Sequence, residues 1–166
     1  MNASRIYIAV VGGSETNDAT WAVARSVGEA LARHGAVLVC GGLGGVMEAA
    51  CQGARANGGT TVGILPGPDR ASANPFIDIA VATGMGEARN ALVVRAADAL
   101  VAVGGEFGTL SEIALALRDG KPVIGLDTWE LRREGRTIDA IVPATSAETA
   151  VDLAISLARA RLDHAV

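Results

Sequence analysis

The most informative stretch of the sequence is Val103-Gly104-Gly105-Glu106-Phe107-Gly108-Thr109-Leu110-Ser111-Glu112. It follows an apolar run at 99–103 and leads into the helical pattern of Leu110, Ile113 and Leu117, which predicts a strand, a glycine loop and a helix. Glycines let the backbone approach a ligand closely, and the first N–H groups of a helix favour an anion. We therefore expect an anion to be bound by Gly104, Gly105, Glu106, Phe107, Gly108 and Thr109.

Glu112 lies about one turn into the predicted helix, where its role has two interpretations. In the first, it forms a Thr-x-x-Glu capping box with Thr109 at the start of the helix. In the second, it has chemical work to do, because a carboxylate beside a phosphate loop adds no affinity for phosphate.

The composition indicates a buried domain without a nucleic-acid partner. The chain has 166 residues, a net charge of −4 and 19% charged residues, which fits a single domain over residues 1–166. Proteins that bind nucleic acid cluster Lys and Arg on one surface. Here the dense basic group is Arg132, Arg133 and Arg136, which the tip of a hairpin or loop explains.

The apolar runs of the sequence predict neither a signal peptide nor a membrane span. The apolar run at 6–11 is too short for a signal peptide, and no apolar run approaches the roughly 20 residues of a membrane span. We expect a cytoplasmic protein with no membrane partner. Cys40 and Cys51 fit neither a zinc site nor a redox CxxC pair, so we expect two buried thiols and no metal site.

Apolar runs alternate with helical patterns along the whole chain. Strands are predicted at 6–11, 36–40, 60–64, 77–82, 99–103, 123–126 and 138–142. Helices are predicted from 17 or 18 to 34, at 46–56, at 87–97, between Gly108 and Gly120, and from a Thr145–Glu148 capping box through Ala158. This alternation predicts an α/β fold, with a mainly parallel, doubly wound sheet and helices on both faces.

Three glycine loops follow predicted strands and should meet at one edge of the sheet. The first is Gly12-Gly13-Ser14, the second contains Gly41, Gly42, Gly44 and Gly45, and the third is the stretch quoted above. A dinucleotide site is not predicted, because the first loop lacks G-x-G-x-x-G and no acidic residue ends the second strand. The remaining candidate is a smaller phosphate-bearing ligand.

Arg89 lies in the first turn of the predicted helix at 87–97, which should open onto the same edge. Its guanidinium either forks onto a phosphate or carboxylate, or it is simply a solvated side chain. Together, Arg89 and Glu112 are the candidate catalytic pair.

Two motifs carry a resemblance to known families. Gly105-x-x-Gly108-Thr109-x-x-Glu112, preceded by Met85-x-x-x-Arg89, resembles the Lonely Guy proteins, a lysine-decarboxylase-like family of phosphoribohydrolases that release a cytokinin base from its riboside 5′-monophosphate. The segments at 41–49, 63–67, 74–75, 86–90 and 110–114 resemble more closely a sister branch that includes the molybdenum cofactor carrier proteins. The resemblance implies a Rossmann-like fold and places Met85 and Asn90 at the ligand.

The chain departs from the hydrolase pattern at two places. Gly104-Gly105-Glu106 replaces Pro-Gly-Gly, so that Glu106 either points away or belongs to a loop that holds something other than a simple phosphate. The second motif lacks its histidine and has Asn90 in place of lysine. Substrate contacts are therefore not carried over, whereas Arg89 and Glu112 are.

Two functions follow from these observations. In the first, the protein binds a phosphate-bearing pterin or nucleotide, such as the molybdenum cofactor or a nucleoside monophosphate, and stores or delivers it unchanged. In the second, it is a phosphoribohydrolase that requires no cofactor for catalysis. Glu112 then stabilises charge on the ribose C1′ and activates a water, while Arg89 orients Glu112 or the ribose.

Helices that are apolar on nearly all sides should be buried on nearly all sides. The predicted helix at 87–97 and the segment at 113–117 have this character. They indicate a homodimer or a dimer of dimers, as in the related families, unless both pack under the C-terminal helix.

Overall fold

Seven strands form one parallel sheet in a computed structural model that describes residues 5–164. The strands are β1 (Tyr7–Gly12), β2 (Val37–Cys40), β3 (Thr60–Leu65), β4 (Ile79–Ala82), β5 (Ala99–Val103), β6 (Val123–Leu126) and β9 (Ile141–Pro143), and a separate hairpin contains β7 (Arg132–Arg133) and β8 (Arg136–Thr137). The helices are α1 (Asp18–Arg33), α2 (Val46–Ala56), α3 (Asn90–Ala96), α4 (Phe107–Arg118) and α5 (Ala147–Asp163).

The strand order in the sheet is β4-β3-β2-β1-β5-β6-β9, and every neighbouring pair is parallel. The order reverses between β1 and β5, which places the ligand crevice of such folds beside the loops that follow these two strands. The predicted α/β, Rossmann-like, doubly wound fold is confirmed.

Helices cover both faces of the sheet, so its central strands are buried throughout. One face packs against α1, α2 and α5, through residues such as Val27, Ala50 and Ile155. The other packs against α3 and α4, through Val93 and Ile113. Coverage on both sides explains why these strands read as continuous apolar runs rather than as alternating patterns.

Helices α1 and α2 contact each other backbone to backbone. A Cβ on Gly28 of α1 would lie 1.8 Å from the carbonyl oxygen of Ala50, and a Cβ on Gly53 of α2 would lie 2.0 Å from that of Arg25. No side chain fits at either position unless the helices move apart. The two glycines therefore fix the spacing of the helices that follow the first two glycine loops.

Two predicted helix starts are wrong. The segment predicted as a helix from residue 87 begins with a 3₁₀ turn over Gly86–Arg89, and α3 starts at Asn90. The last helix is capped by Ser146, whose Oγ accepts from the N–H of Thr149 at 3.1 Å, and not by a Thr145–Glu148 box. Ser146 takes the capping position because its backbone is extended and its hydroxyl reaches the third residue onward.

The expectations for the basic group and for the two cysteines are met. The basic group of Arg132, Arg133 and Arg136 lies on the exposed hairpin. Cys40 and Cys51 are free, buried thiols with their Sγ atoms 3.6 Å apart. Among the described residues, no helix has the length and apolar character that crossing a bilayer requires.

Candidate functional site

The three glycine loops meet at the carboxyl edge of the sheet around a cavity of about 240 Å³, which we term the glycine-loop cavity. All three loops contribute to its wall, together with the turn before α3 and the first turns of α2 and α4. Its lining residues are Gly12, Gly13, Ser14, Leu43, Met47, Glu87, Arg89, Asn90, Glu106, Gly108, Thr109 and Glu112.

The first and second loops are joined directly. The N–H of Val46 donates to the carbonyl of Gly13 at 3.0 Å. Gly45 has φ +63°, and a Cβ there would lie 2.3 Å from the same carbonyl oxygen. Because Gly45 is also the N-cap of α2 and offers no side chain, the start of α2 is left uncapped. Apart from that of Val46, the first N–H groups of α2 and its dipole are available to an anion.

The third loop folds back over the first turn of α4. Gly105 has φ +117°, and a Cβ on it would lie 2.5 Å from Cγ2 of Thr109. The N-cap is Glu106, whose side chain makes no capping hydrogen bond. Thr109 therefore lies inside the helix, and its interpretation as the cap of a box with Glu112 is wrong. The start of α4, like that of α2, is open to a ligand.

Arg89 is buried, with 5% of its surface exposed, so the solvated interpretation is also wrong. Its guanidinium lies against Gly41, where a Cβ would be 2.7 Å from Nη2. Nη1 donates to Oδ1 of Asn90, whose Nδ2 donates to Oγ of Ser111 at 2.9 Å. That hydroxyl donates to the carbonyl of Gly108 at 2.8 Å, so the arginine is oriented by a chain of hydrogen bonds that reaches the third loop.

Glu112 is 7% exposed, and burial raises the pKa of its carboxyl from 4.5 to about 7. The charge of Arg89 lowers this pKa and that of Glu87 raises it, both by less than burial does. Glu112 and Arg89 form no ion pair within 4 Å in the described chain. Near neutral pH the carboxyl can therefore either hold or release a proton.

Two residues that line the cavity each contain a buried polar atom without a hydrogen-bond partner within residues 5–164. The atoms are Nε of Arg89 and Oγ1 of Thr109. Leaving such a group unpaired costs about 1–3 kcal/mol, and native proteins keep few of them. The wall of the cavity therefore includes two residues whose polar groups are not fully paired.

Glu106 does not point away from the site. It lines the cavity, and its Oε1 lies 3.9 Å from the position of a Cβ on Gly13. The wall thus contains the carboxylates of Glu87, Glu106 and Glu112 as well as the guanidinium of Arg89. Such a mixture suits a ligand that carries both a phosphate and hydrogen-bond donors, rather than a simple phosphate.

Several predicted residues shape the site without lining it. Gly42 has φ +77° and packs on Leu65, while Gly44 lies against Ser14. Gly104, with φ +55°, and Gly105 turn the third loop. Met85 and Phe107 are exposed and lie outside the cavity wall, and the ring of Phe107 instead packs against that of Trp129 at a tilt of 38°.

Sequence reasoning did not select three residues of the wall: Leu43, Met47 and Glu87. Each lies within two positions of a residue that was predicted, and Glu87 is in the same short motif as Arg89. Closeness to these motifs was the available signal, but it does not tell which neighbouring side chains turn inward.

In the described part of the chain, one cluster has the composition of a metal site: His34, Glu148 and Asp152, all near the surface. Nε2 of His34 lies 3.0 Å from Oδ1 of Asp152, and Glu148 pairs with Arg33 at 2.5 Å. None of these residues lines the glycine-loop cavity. The pairs join the end of α1 to the start of α5.

Two proteins of known sequence are similar to this chain. An uncharacterized protein of Archaeoglobus fulgidus is 50% identical over 121 residues, which are 73% of this chain and 80% of that protein. A cytokinin riboside 5′-monophosphate phosphoribohydrolase of Mycobacterium tuberculosis is 36% identical over 117 residues, or 64% of this chain and 62% of the enzyme. The chain thus spans less than two thirds of the enzyme's length.

Two solved structures are similar over nearly the whole chain. The molybdenum cofactor binding protein of Rippkaea orientalis is 36% identical with a TM-score of 0.84, over 93% of this chain and 98% of that one. The Moco carrier protein of Chlamydomonas reinhardtii is 34% identical with a TM-score of 0.80, over 95% and 99% of the two chains. The resemblance to the Lonely Guy superfamily and its carrier-like branch is confirmed. Because the sequence profile of the SLOG cluster4 family matches residues 5–156, the chain belongs to that family.

Proposed function

We propose that this protein is a cytoplasmic carrier that binds a phosphate-bearing pterin or nucleotide cofactor in the glycine-loop cavity and releases it unchanged. The observation that carries the proposal is the cavity that three glycine loops build, lined by Arg89 and Thr109, each of which has a buried polar atom without a partner within residues 5–164. The molybdenum cofactor proteins of Rippkaea orientalis and Chlamydomonas reinhardtii, similar over nearly the whole chain, support it.

In this proposal the phosphate is held by backbone N–H groups at the uncapped starts of α2 and α4 and by the guanidinium of Arg89. Hydroxyl and amino groups of the ligand donate to the carboxylates of Glu87 and Glu106. Glycines at 12, 13, 41, 42, 44, 45, 104, 105 and 108 let the backbone close around the ligand, and Ser14, Asn90 and Thr109 add polar contacts.

The second candidate function is hydrolysis of a nucleoside 5′-monophosphate to a free base and ribose 5-phosphate. It is favoured by the buried Glu112, whose pKa near 7 suits proton transfer at neutral pH. The similarity to the Mycobacterium tuberculosis phosphoribohydrolase supports it. Glu112 would stabilise the positive charge that develops on C1′ and activate the attacking water, as carboxylates do in glycoside hydrolysis.

Incubation with nucleoside monophosphates separates the two functions. The purified protein is mixed with AMP, and free adenine and ribose 5-phosphate are measured by chromatography. If the wild-type protein releases adenine and ribose 5-phosphate and the Glu112→Gln variant does not, hydrolysis is established. Saturable binding without release supports the carrier, and mass spectrometry of the ligand that co-purifies with the protein then identifies the cargo. Protein that neither binds nor cleaves a phosphorylated pterin or nucleotide contradicts both.

The proposed assembly is a homodimer or a dimer of dimers. Ile79 and Val81 of edge strand β4 pair in register with Val62 and Ile64, and this face of the sheet packs on α3. Ile79 and Val81 are 52% and 44% exposed, and Leu92 on α3 is 36% exposed. A second copy would bury this apolar face. Light scattering after gel filtration measures the mass, and Ile79→Asp should yield monomer if the face is the interface.

A further inference from the structure

A second cavity, of about 350 Å³, lies beside the third glycine loop at the carboxyl ends of β6 and β9. We term it the hairpin cavity, and define it by Gly125, Asp127, Trp129, Leu131, Asp139 and Ile141 of its wall. Gly125 is closely packed at its wall, since a Cβ there would lie 2.7 Å from Cγ2 of Thr128 and 2.9 Å from Cγ2 of Ile141. Nothing in the proposed function uses this cavity.

The hairpin cavity shares a wall with the glycine-loop cavity. Thr128 Oγ1 donates to the carbonyl of Gly104 at 2.5 Å, and Trp129 Nε1 donates to the carbonyl of Glu106 at 3.3 Å. The rings of Trp129 and Phe107 pack with their centroids 5.7 Å apart. Glu106 lines one cavity while its carbonyl binds the indole that lines the other. The two cavities are therefore adjacent, with Glu106 and Trp129 between them.

The chemistry of the hairpin cavity is complementary to that of its neighbour. Trp129, Leu131 and Ile141 give it an apolar lining, and the carboxylates of Asp127, Glu130 and Asp139 are exposed at its edge. No basic side chain lines it, which disfavours a phosphate. A flat heterocycle suits it, because the ring can stack on the indole while amino groups donate to the carboxylates.

The backbone at its edge supports a built site. Asp127 has φ +47°, a conformation that costs a residue other than glycine free energy and that tends to persist at functional sites. The volume of the glycine-loop cavity also supports a second subsite. The glycine-loop cavity, at about 240 Å³, is smaller than the roughly 300–1,000 Å³ of pockets that enclose a whole ligand. This volume suits part of a ligand, such as the phosphate and sugar end of a nucleotide.

We propose that the hairpin cavity binds the aminated heterocycle, a purine or pterin ring, of the ligand whose phosphate lies in the glycine-loop cavity, with Trp129 as its stacking platform. This inference rests on the proposed function, because it takes the phosphate position from it. It assigns specificity for the ring to the segment 127–139, which the glycine motifs do not include.

Intrinsic fluorescence tests the stacking, because the chain has two tryptophans, Trp21 and Trp129. The Trp21→Phe variant reports on Trp129 alone, and Trp129→Phe is its matched control. AMP should quench the fluorescence of Trp129, whereas ribose 5-phosphate, which lacks the ring, should not. The fluorescence of the Trp129→Phe control should change with neither AMP nor ribose 5-phosphate. Formycin 5′-monophosphate, with a C–C bond to ribose, replaces AMP if AMP is cleaved.

Calorimetry on the full chain measures the contribution of the ring. Stacking of a base is worth about 1–3 kcal/mol, so Trp129→Ala should weaken AMP binding by roughly 5- to 150-fold. Ribose 5-phosphate affinity should stay within about twofold, because its contacts are all in the other cavity. Trp129→Phe should retain part of the AMP affinity. Asp139→Asn should reduce the preference for AMP over purine riboside 5′-monophosphate, which lacks the amino group.

The outcomes separate this inference from the proposed function. If the wild-type protein binds no AMP, no ribose 5-phosphate and no phosphorylated pterin, both proposals fail. If it binds AMP and ribose 5-phosphate but Trp129→Ala changes neither affinity, or weakens both equally, the hairpin cavity is not the ring subsite and the proposed function stands. Circular dichroism of each variant establishes that the fold is retained.

Discussion

The guanidinium of Arg89 occupies the space that a side chain on Gly41 would need. A Cβ on Gly41 would lie 2.7 Å from Nη2 of Arg89 and 2.9 Å from Sδ of Met47. Gly41, just after β2, must therefore be a glycine, because Arg89 from the turn before α3 fills the adjacent space. Two parts of the sequence that are far apart depend on each other here.

Substitution of Gly41 by alanine should therefore weaken ligand binding through Arg89. The new methyl group displaces the guanidinium, and we expect at least a 10-fold loss of ribose 5-phosphate affinity, since a charge-assisted contact is worth about 1.5–3 kcal/mol. Isothermal calorimetry measures it. Gly67→Ala is the control, because a Cβ there meets nothing within 4 Å. Unchanged affinity in Gly41→Ala would show that Arg89 does not hold the ligand.

Thr109→Val should weaken binding but not the fold. Oγ1 of Thr109 is buried and has no partner within residues 5–164, so its removal costs the free protein no hydrogen bond. We expect a free energy of unfolding equal to or about 1 kcal/mol above that of the wild type, and roughly 10-fold weaker ligand binding. Urea unfolding and calorimetry measure the two. Thr109→Ser, which keeps the hydroxyl, should bind nearly normally; a destabilised valine variant would mean that the hydroxyl is structural.

Glu112 should make the free protein less stable as the pH rises. Burial raises the pKa of Glu112 from 4.5 to about 7, so between these pH values the folded protein holds a proton that the unfolded chain releases. The free energy of unfolding then falls with rising pH, by up to on the order of 3 kcal/mol once Glu112 is fully ionised. Urea unfolding at pH 5 and pH 8 measures the decrease.

The Glu112→Gln variant isolates this contribution. Its free energy of unfolding should equal that of the wild type at pH 5, where Glu112 is protonated. At pH 8 it should be higher than that of the wild type. Asp163→Asn, which removes an exposed carboxylate, is the control, and its free energy of unfolding should equal that of the wild type at both pH values. If the free energy of unfolding of Glu112→Gln falls with pH as much as that of the wild type, the carboxyl of Glu112 is not buried in solution.

Gly28→Ala should destabilise the fold strongly. The added methyl group would lie 1.8 Å from the carbonyl oxygen of Ala50, so α1 and α2 must separate. We expect a loss of about 3 kcal/mol or more in the free energy of unfolding, beyond the usual cost of overpacking. Gly108→Ala is the matched control in a helix: its Cβ meets nothing within 4 Å, and better helix propensity should raise stability by up to about 1 kcal/mol. A tolerated Gly28→Ala would contradict the close contact.

Periodicity predicted the sheet, its helices and the meeting of the glycine loops, because strands buried on both faces give unbroken apolar runs. It did not place the start of α4. Thr109 and Glu112 have the spacing of a capping box, yet Glu106 is extended and starts the helix earlier. Whether a Thr-x-x-Glu pair caps depends on the φ and ψ angles of the preceding loop, and those are set by Gly104 and Gly105.

The role of the hairpin could not be predicted either. Trp129 and Thr128 reach the third loop through contacts over more than 20 positions of sequence, and no local pattern encodes them. The burial of Arg89 is another tertiary effect. Its short helix-like motif looks solvated, and the chain of Asn90 and Ser111 that orients it requires α3 and α4 to pack side by side.

The backbone contact between α1 and α2 has a consequence for ligand capture. α2 continues directly from the second glycine loop, α1 follows the first after three residues, and Gly28 and Gly53 hold the two helices against one another. Two of the three loops are therefore preorganised before any ligand arrives, and their ordering adds little entropic penalty to association. We therefore expect any rearrangement on ligand binding to occur in the third loop and in the segment with Thr128 and Trp129, which is hydrogen-bonded to it.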